Sequence, residues 1–317
     1  MTEHLVIPFA ACAGPAWAHA MKTLPAGSFQ NLGKLLQGMK LRHTDTGDAH
    51  SLTPPHERVL ATAMGMPGAA DGLLPWAALQ ASQLGMADGK AWAFITPCHW
   101  AMGREHATLT DPAGLALTPE EADTLHAAMQ PYFDTEGITL HPVTPGRWLA
   151  EGEVLRDLPT ASLDRVLGRN VDAWLPDKTT AGSLRRLQNE MQMLLYTHPL
   201  NDARSTQRQR SVNSFWISGS GALPAAVNTA AGAPTAPRTL AQAVFTDDWA
   251  AYAAAWAALD TAEVAQLLAH QKAGQTVRLT LCGDSHAQTF ESARTGLLQR
   301  MSNLFSPQSV QSVLEQL

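Results

Sequence analysis

Charge and cysteine are both scarce in this sequence. Only 16% of its 317 residues are charged, and 22 basic against 28 acidic side chains leave a net charge of −6 with no long run of either sign. A nucleic-acid surface or an anionic-membrane surface needs clustered Lys and Arg, so neither partner is expected. Cys12, Cys98 and Cys282 are scattered, with no CxxC pair and no even-numbered framework. Reduced thiols in a cytoplasmic protein are the expectation. No apolar stretch reaches membrane-spanning length, so no transmembrane helix is expected. Glu3 and His4 stand where a signal peptide carries basic residues, and Pro8 interrupts the first apolar run. The 12 histidines include no HExxH or HxH spacing, which removes the commonest sequence signs of a zinc site.

What is present is a 45% hydrophobic chain, long enough for a sizeable core. "HLVIPFAACAG" reads as a buried strand entering a small-residue turn, the start of a βα unit. Helices are expected in "SFQNLGKLLQGM", in "PPHERVLATAMGM" with Pro55 in its first turn, and in "PWAALQASQLGM". Thr118, Pro119, Glu120 and Glu121 form a strong helix start. "AWAFITPCHW" and "ATLTDP" read as strands, and "GITLHPVTPGRWLAEG" as a hairpin turning at Pro145-Gly146. "TDTGDAHSLTPP" and "NTAAGAPTAPRT" read as loops. "DDWAAYAAAWAALDTAEVAQLLAHQ" reads as helix broken near Asp260, "QTVRLTLCGD" as a strand, and "ARTGLLQRMSNLF" as a final helix. Strands and helices alternate at both ends of the chain. The fold class that follows is mixed α/β, a largely parallel sheet flanked by helices with a β-hairpin insertion. The chain reads as a single domain, 1–317, with 1–160 and 161–317 as its natural subdivision.

Three motifs lose their chemistry on inspection. "GSGALP", from Gly219, lacks the third glycine and the helix of a dinucleotide fingerprint. "CGDSHAQTF" presents Gly-Asp-Ser after a strand, but no Asp follows Asp284 and no His follows His286 to complete a triad. Asp284 and His286 share a strand face and stay as weak metal candidates. Cys98 and His99, being consecutive on a strand, point to opposite faces.

The best candidate site begins in "LRRLQNEMQMLLYTHPLNDAR". Leu184, Leu187, Met191 and Leu195 fall on one helix face, and Arg185, Gln188, Asn189 and Gln192 line the adjacent one. Amides facing inward imply a polar network or a ligand, because burying them unpartnered is costly. The loop "THPLNDAR" adds Asn201 and Arg204, and "VNSFWISGSGALP" adds Asn213 and a turn at Gly219 and Gly221. All nine residues are expected to converge at that turn as a ligand-binding pocket, with its backbone amides and arginines suited to an anion.

The segments "HLVIPFA", "PPHERVLA", "PCHW", "LPTASLDRVLGR", "LRRLQNEMQMLLYTHPLNDAR", "VNSFWISGSG" and "LTLCGD" resemble a bacterial family labelled regulatory protein of the pathogenicity-factor E type, or phosphoglycerate mutase. "NSFWISGSGALP" is similar to an Asn-x-x-Trp-x-x-Gly-x-Gly-x-x-Pro element of archaeal-type cofactor-independent phosphoglycerate mutases. That resemblance implies an alkaline-phosphatase-like α/β fold, two divalent metals and a Ser or Thr phosphoryl acceptor. The departures fall on the chemistry. Those enzymes place a metal-binding aspartate at the end of the first strand, where this chain has Pro8, Phe9 and Cys12. Their Asp-His metal pairs have no counterpart beyond Asp284 and His286.

The expected function is therefore a phosphoglycerate-mutase-like protein without the metal ligands, binding a small ligand, phosphorylated or not, in a regulatory or accessory role, with no cofactor. One rival is an active mutase or phosphatase using Mn or Mg at Asp284 and His286. Another is a scaffold that meets a protein partner through exposed tryptophans.

Overall fold

The computed structural model describes residues 2–24, 27–66, 68–86, 89–224, 233–292 and 309–317. In chain order the elements begin with β1 (Glu3–Ile7), α1 (Pro15–Thr23), α2 (Gln30–Gln37), β2 (Met39–Thr46), α3 (Pro55–Ala63) and α4 (Trp76–Gln83). The middle supplies β3 (Ala91–Cys98), β4 (Trp100–Met102), β5 (Ala107–Leu109), α5 (Pro119–Thr135), β6 (Thr139–Thr144) and β7 (Arg147–Glu151). Next come α6 (Leu163–Val166), α7 (Gly182–Tyr196), α8 (Pro199–Thr206) and β8 (Ser214–Ala222). The last are α9 (Thr239–Phe245), α10 (Trp249–Thr261), α11 (Glu263–Lys272), β9 (Val277–Cys282), β10 (His286–Ser292) and α12 (Val310–Leu314). The expected helix "ARTGLLQRMSNLF" lies outside the described residues, as do residues 228–232 of the expected loop "NTAAGAPTAPRT". No described helix is long and apolar enough to cross a membrane.

These elements group into two units. The first takes Met1–Ala49, Pro54–Met64 and Gly232–Leu317, and the second takes His50–Thr53 and Gly65–Ala231. The division thus separates the two ends from the middle, and residues 160 and 161 both fall inside the second unit.

Unit 1 is built on a sheet of order β1-β9-β10-β2. Side chains alternate across β1, so Leu5 and Ile7 enter a core with Leu32, Leu35, Tyr252, Trp256 and Leu267. Val6 faces the opposite way, with Cys282, Ala287 and the α3 residues Val59 and Leu60. The Ala-rich segment breaks after Thr261, close to the expected Asp260. Asp260 is 3% exposed, and its carboxylate accepts from the backbone N–H of Asn31 (3.0 Å) and Leu32 (2.8 Å). It thereby caps α2 from a distant helix.

Unit 2 is built on a sheet of order β6-β7-β3-β8. Ala93, Ile95, Trp148, Phe215 and Ile217 face α5 and α7, while Trp92, Phe94 and Leu149 face the α4 alanines. A sheet covered on both faces explains why β3 is buried at all eight positions. Helix α5 begins with the expected cap: Thr118 Oγ accepts from Glu121 N–H, and the Glu121 carboxylate accepts from Thr118 N–H.

The fold is therefore mixed α/β with helices flanking its sheets. Among the described strands, parallel pairing is confined to β1–β9. The pairs β9–β10, β10–β2, β3–β7, β3–β8, β4–β5 and β6–β7 all run antiparallel. Short hairpins join β4–β5, β6–β7 and β9–β10, and the remaining pairs bring together strands distant in sequence.

His4 gives unit 1 a pH dependence. Its Nε2 lies 2.8 Å from Thr280 Oγ1. Burial first, and the Arg278 charge second, lower its pKa from 6.5 to about 4. Between those values the unfolded chain holds a proton that the folded chain does not. Stability is therefore expected to fall as pH drops from about 6.5 towards about 4, by roughly 2 kcal/mol after discounting for partial exposure. Denaturation curves across that range check it. His4→Gln should remove this share of the decline, and an undiminished decline would contradict the assignment.

Candidate functional site

Helix α7 buries Leu184, Leu187, Met191 and Leu195, as its periodicity implies. Gln188 joins them, and its Nε2 donates to the Phe215 carbonyl at 3.0 Å. Gln192 Nε2 approaches Ser214 Oγ at 3.4 Å. Both contacts engage the first residues of β8.

The neighbouring polar residues serve the same segment. "THPLNDAR" is not a loop: most of it forms α8, with His198 as a side-chain cap and Pro199 in the first turn. Asn201 donates to the carbonyls of Leu195 and Val212, both at 2.7 Å, and accepts from Val212 N–H at 2.8 Å. Asn213 accepts from Trp100 N–H at 2.7 Å and donates to its carbonyl at 3.0 Å. One side chain thus replaces a strand neighbour for Trp100. Arg204 is 1% exposed. Its Nη1 donates to both Glu121 oxygens at 2.7 Å, and its other nitrogens to the carbonyls of Leu115 and Arg210. Arg185 is half-buried and Asn189 exposed.

Gly219 and Gly221 do not form a turn. They lie within β8, whose register against β3 shifts between Trp92 and Phe94. Both keep positive φ, 62° and 134°. A Cβ at Gly219 would meet the Phe94 ring at 3.0 Å and Trp76 Cβ at 3.2 Å, and one at Gly221 would meet Pro75 Cβ at 3.2 Å. The glycines admit close packing in a bulged strand. The amides accordingly gather around the start of β8. Gly219 lies four residues beyond Phe215, roughly 13 Å along a strand.

Asn201 makes the most bonds of the amides. Asn201→Ala is expected to cost about 2 kcal/mol, because it strands backbone groups of Leu195 and Val212. Chemical denaturation checks it, and an unchanged midpoint would show that water replaces these bonds.

A second polar network in unit 2 had little sequence signal. Thr53, Thr160, Ser162, Asp164, Arg165 and Ser220 are all buried. Gly72 N–H donates to Thr53 Oγ1, Thr160 N–H to the Gly72 carbonyl, and Ser162 N–H to the Leu52 carbonyl. Thr160 and Ser220 hydroxyls meet at 2.8 Å, and Arg165 Nη2 lies 3.5 Å from the Thr53 carbonyl. In "LPTASLDRVLGR" the Ser162 side chain caps α6 by accepting from the Asp164 N–H.

In unit 1, the position implied by the mutase resemblance follows β1, at the carboxyl end of the parallel pair. Such ends are where open α/β sheets place their sites. Here Phe9, Ala10, Ala11 and Cys12 are all buried. Phe9 has φ 57°, a strained value for a bulky residue. Its ring packs on His56 (5.5 Å) and Phe245 (5.1 Å). Tyr252 Oη donates to the carbonyls of Phe9 (2.9 Å) and Ala10 (3.0 Å), and Ala10 N–H donates to the Cys282 carbonyl (2.7 Å). Burial raises the pKa of both Tyr252 and Cys282 far above their ordinary values, so neither offers an anion. Asp284 accepts from Ala13 N–H at 2.6 Å. His286 begins β10, two residues on. Among the described residues, Asp284 and His286 belong to no cluster of three or more metal-ligating atoms. Two divalent cations need several carboxylates and imidazoles, and the residues after β1 do not fit them.

No family model matches the chain, and no curated protein matches it. Among solved structures it is similar to a cofactor-independent phosphoglycerate mutase from Thermoplasma acidophilum DSM 1728, at 12% identity and a TM-score of 0.37, over 94% of this chain and 91% of that one. It is also similar to the PH0037 protein from Pyrococcus horikoshii, at 13% identity and a TM-score of 0.44, over 95% of this chain and 92% of that one.

Proposed function

We propose that this chain is a phosphoglycerate-mutase-like protein that binds a small ligand in a regulatory or accessory role and does not perform two-metal phosphoryl transfer. The mutase-like part rests on "NSFWISGSGALP" and the mixed α/β architecture. The observation that carries the reading is the end of β1. It presents buried Phe9, Ala10, Ala11 and Cys12 where the resemblance implies a metal-binding aspartate. The nearby carboxylate of Asp284 is engaged by the Ala13 amide.

The scaffold reading loses its motivation, since all nine tryptophans are buried or half-buried. A melting screen of phosphorylated metabolites, nucleotides, neutral metabolites and metals tests the ligand. A compound that binds the native state raises its stability by about 2.7 kcal/mol at one hundred times its Kd. At least one organic compound is expected to raise the midpoint. A screen in which only Mn or Mg does so would favour the active-mutase rival.

A further inference from the structure

Unit 1 also holds an open surface pocket of about 340 Å³. That volume lies within the range of small-molecule pockets. Met21 and Leu24, from the end of α1, and Phe29 give it an apolar side. Phe29 is held edge-on against Trp256, with ring centroids 5.1 Å apart. Gln30, the first residue of α2, and Gln311 of α12 give it a polar side.

Among the described residues the pocket wall carries no charged side chain. The start of α2, which would otherwise attract an anion, is already satisfied. Gln30 N–H donates to the Gly27 carbonyl and Gly33 N–H to the Phe29 carbonyl. Asn31 and Leu32 N–H donate to the Asp260 carboxylate. That carboxylate also sets a negative charge against the helix end, so a second anion would be repelled. Gly27 has φ 95°, and a Cβ there would lie 2.8 Å from Gln30 Nε2. The positive φ is what favours glycine there, since the Gln30 amide is the free end of a flexible, exposed side chain. Gln311 Nε2 donates to Glu315 Oε1 at 2.9 Å, which leaves its carbonyl oxygen as the acceptor for a ligand N–H.

We propose that this pocket binds an uncharged small molecule with an apolar body and a carboxamide, the apolar part against Met21, Leu24 and Phe29 and the amide against Gln30 and Gln311. This assignment rests on reading the chain as a ligand binder and names the site and ligand class. Titrations followed by fluorine NMR, with para-fluorobenzamide and para-fluorobenzoate as probes, test it on the full chain. The amide is expected to bind at least about tenfold more tightly than the carboxylate, the worth of one 1.4 kcal/mol interaction. Gln311→Trp, which fills the pocket, and Gln30→Ala, which removes an amide partner, should each weaken the amide by about tenfold. Both side chains are exposed, so the melting points should hold. Absent binding of para-fluorobenzamide, equal binding of the carboxylate, or binding that survives both substitutions would overturn the assignment. If compounds from the melting screen still bind both variants normally, the ligand-binding reading stands and this site falls.

Discussion

Arg204→Ala is expected to destabilise the folded protein by about 3–5 kcal/mol, the range for breaking a buried ion pair. Arg204 is 1% exposed, and four of its hydrogen bonds end on Glu121, Leu115 and Arg210. Truncation leaves the Glu121 carboxylate without its cation and two carbonyls without donors. Glu121 also closes the capping box of α5, so the loss should spread to that helix start. Arg204→Lys is expected to recover less than half, because an ammonium carries its donors on one atom and cannot span acceptors that three guanidinium nitrogens reach separately. Denaturant titration followed by tryptophan fluorescence checks both variants. A loss below about 1 kcal/mol would mean that the ion pair is dispensable and would return Arg204 to the ligand candidates.

The second large effect belongs to Asp260 in unit 1. Asp260→Ala is expected to cost about 2–4 kcal/mol. It removes both acceptors from the first turn of α2, and each buried donor left unpaired costs about 1–3 kcal/mol. Asn31 would lose only its long 3.4 Å contact with the carboxylate, because its Nδ2 also donates at 2.9 Å to the backbone carbonyl of Asp260, which alanine keeps. Asp260→Asn keeps one acceptor oxygen and should lose about half as much. Thermal melting of the three proteins checks the order. Equal melting points for wild type and Asp260→Ala would show that water caps α2 adequately.

What could be read in advance was whatever is local and periodic. The apolar face of α7 and the Thr118–Glu121 box repeat at helical spacing, and each lies within a few residues of its partners. Strand β2 had no such signal: it is an edge strand, exposed or half-exposed at every position after Met39. Apolar and polar residues alternate only from Met39 to Arg42, and the rest of the strand is polar. Helix α8 was hidden because "THPLNDAR" begins with turn-forming residues, although His198 and Pro199 in fact start a helix there. The two glycines of β8 looked like a turn because their packing against Phe94, Trp76 and Pro75 is a tertiary fact.

The candidate site was less legible than the fold, for the same reason. The polar residues were identifiable, but their partners lie far along the chain: Asn213 meets Trp100, and Arg204 meets Glu121. Whether an amide faces a ligand or a backbone carbonyl depends on such partners. The missing carboxylate after β1 was visible at once, because it concerns one short segment.

That absence is the centre of the account, and elemental analysis joined to a coupled phosphoglycerate mutase assay tests it most directly. Purified chain, assayed with added manganese, is expected to hold no stoichiometric divalent metal and to show no turnover above background. Two bound metal ions per chain together with turnover in the usual enzyme range of roughly 1–1000 per second would contradict it.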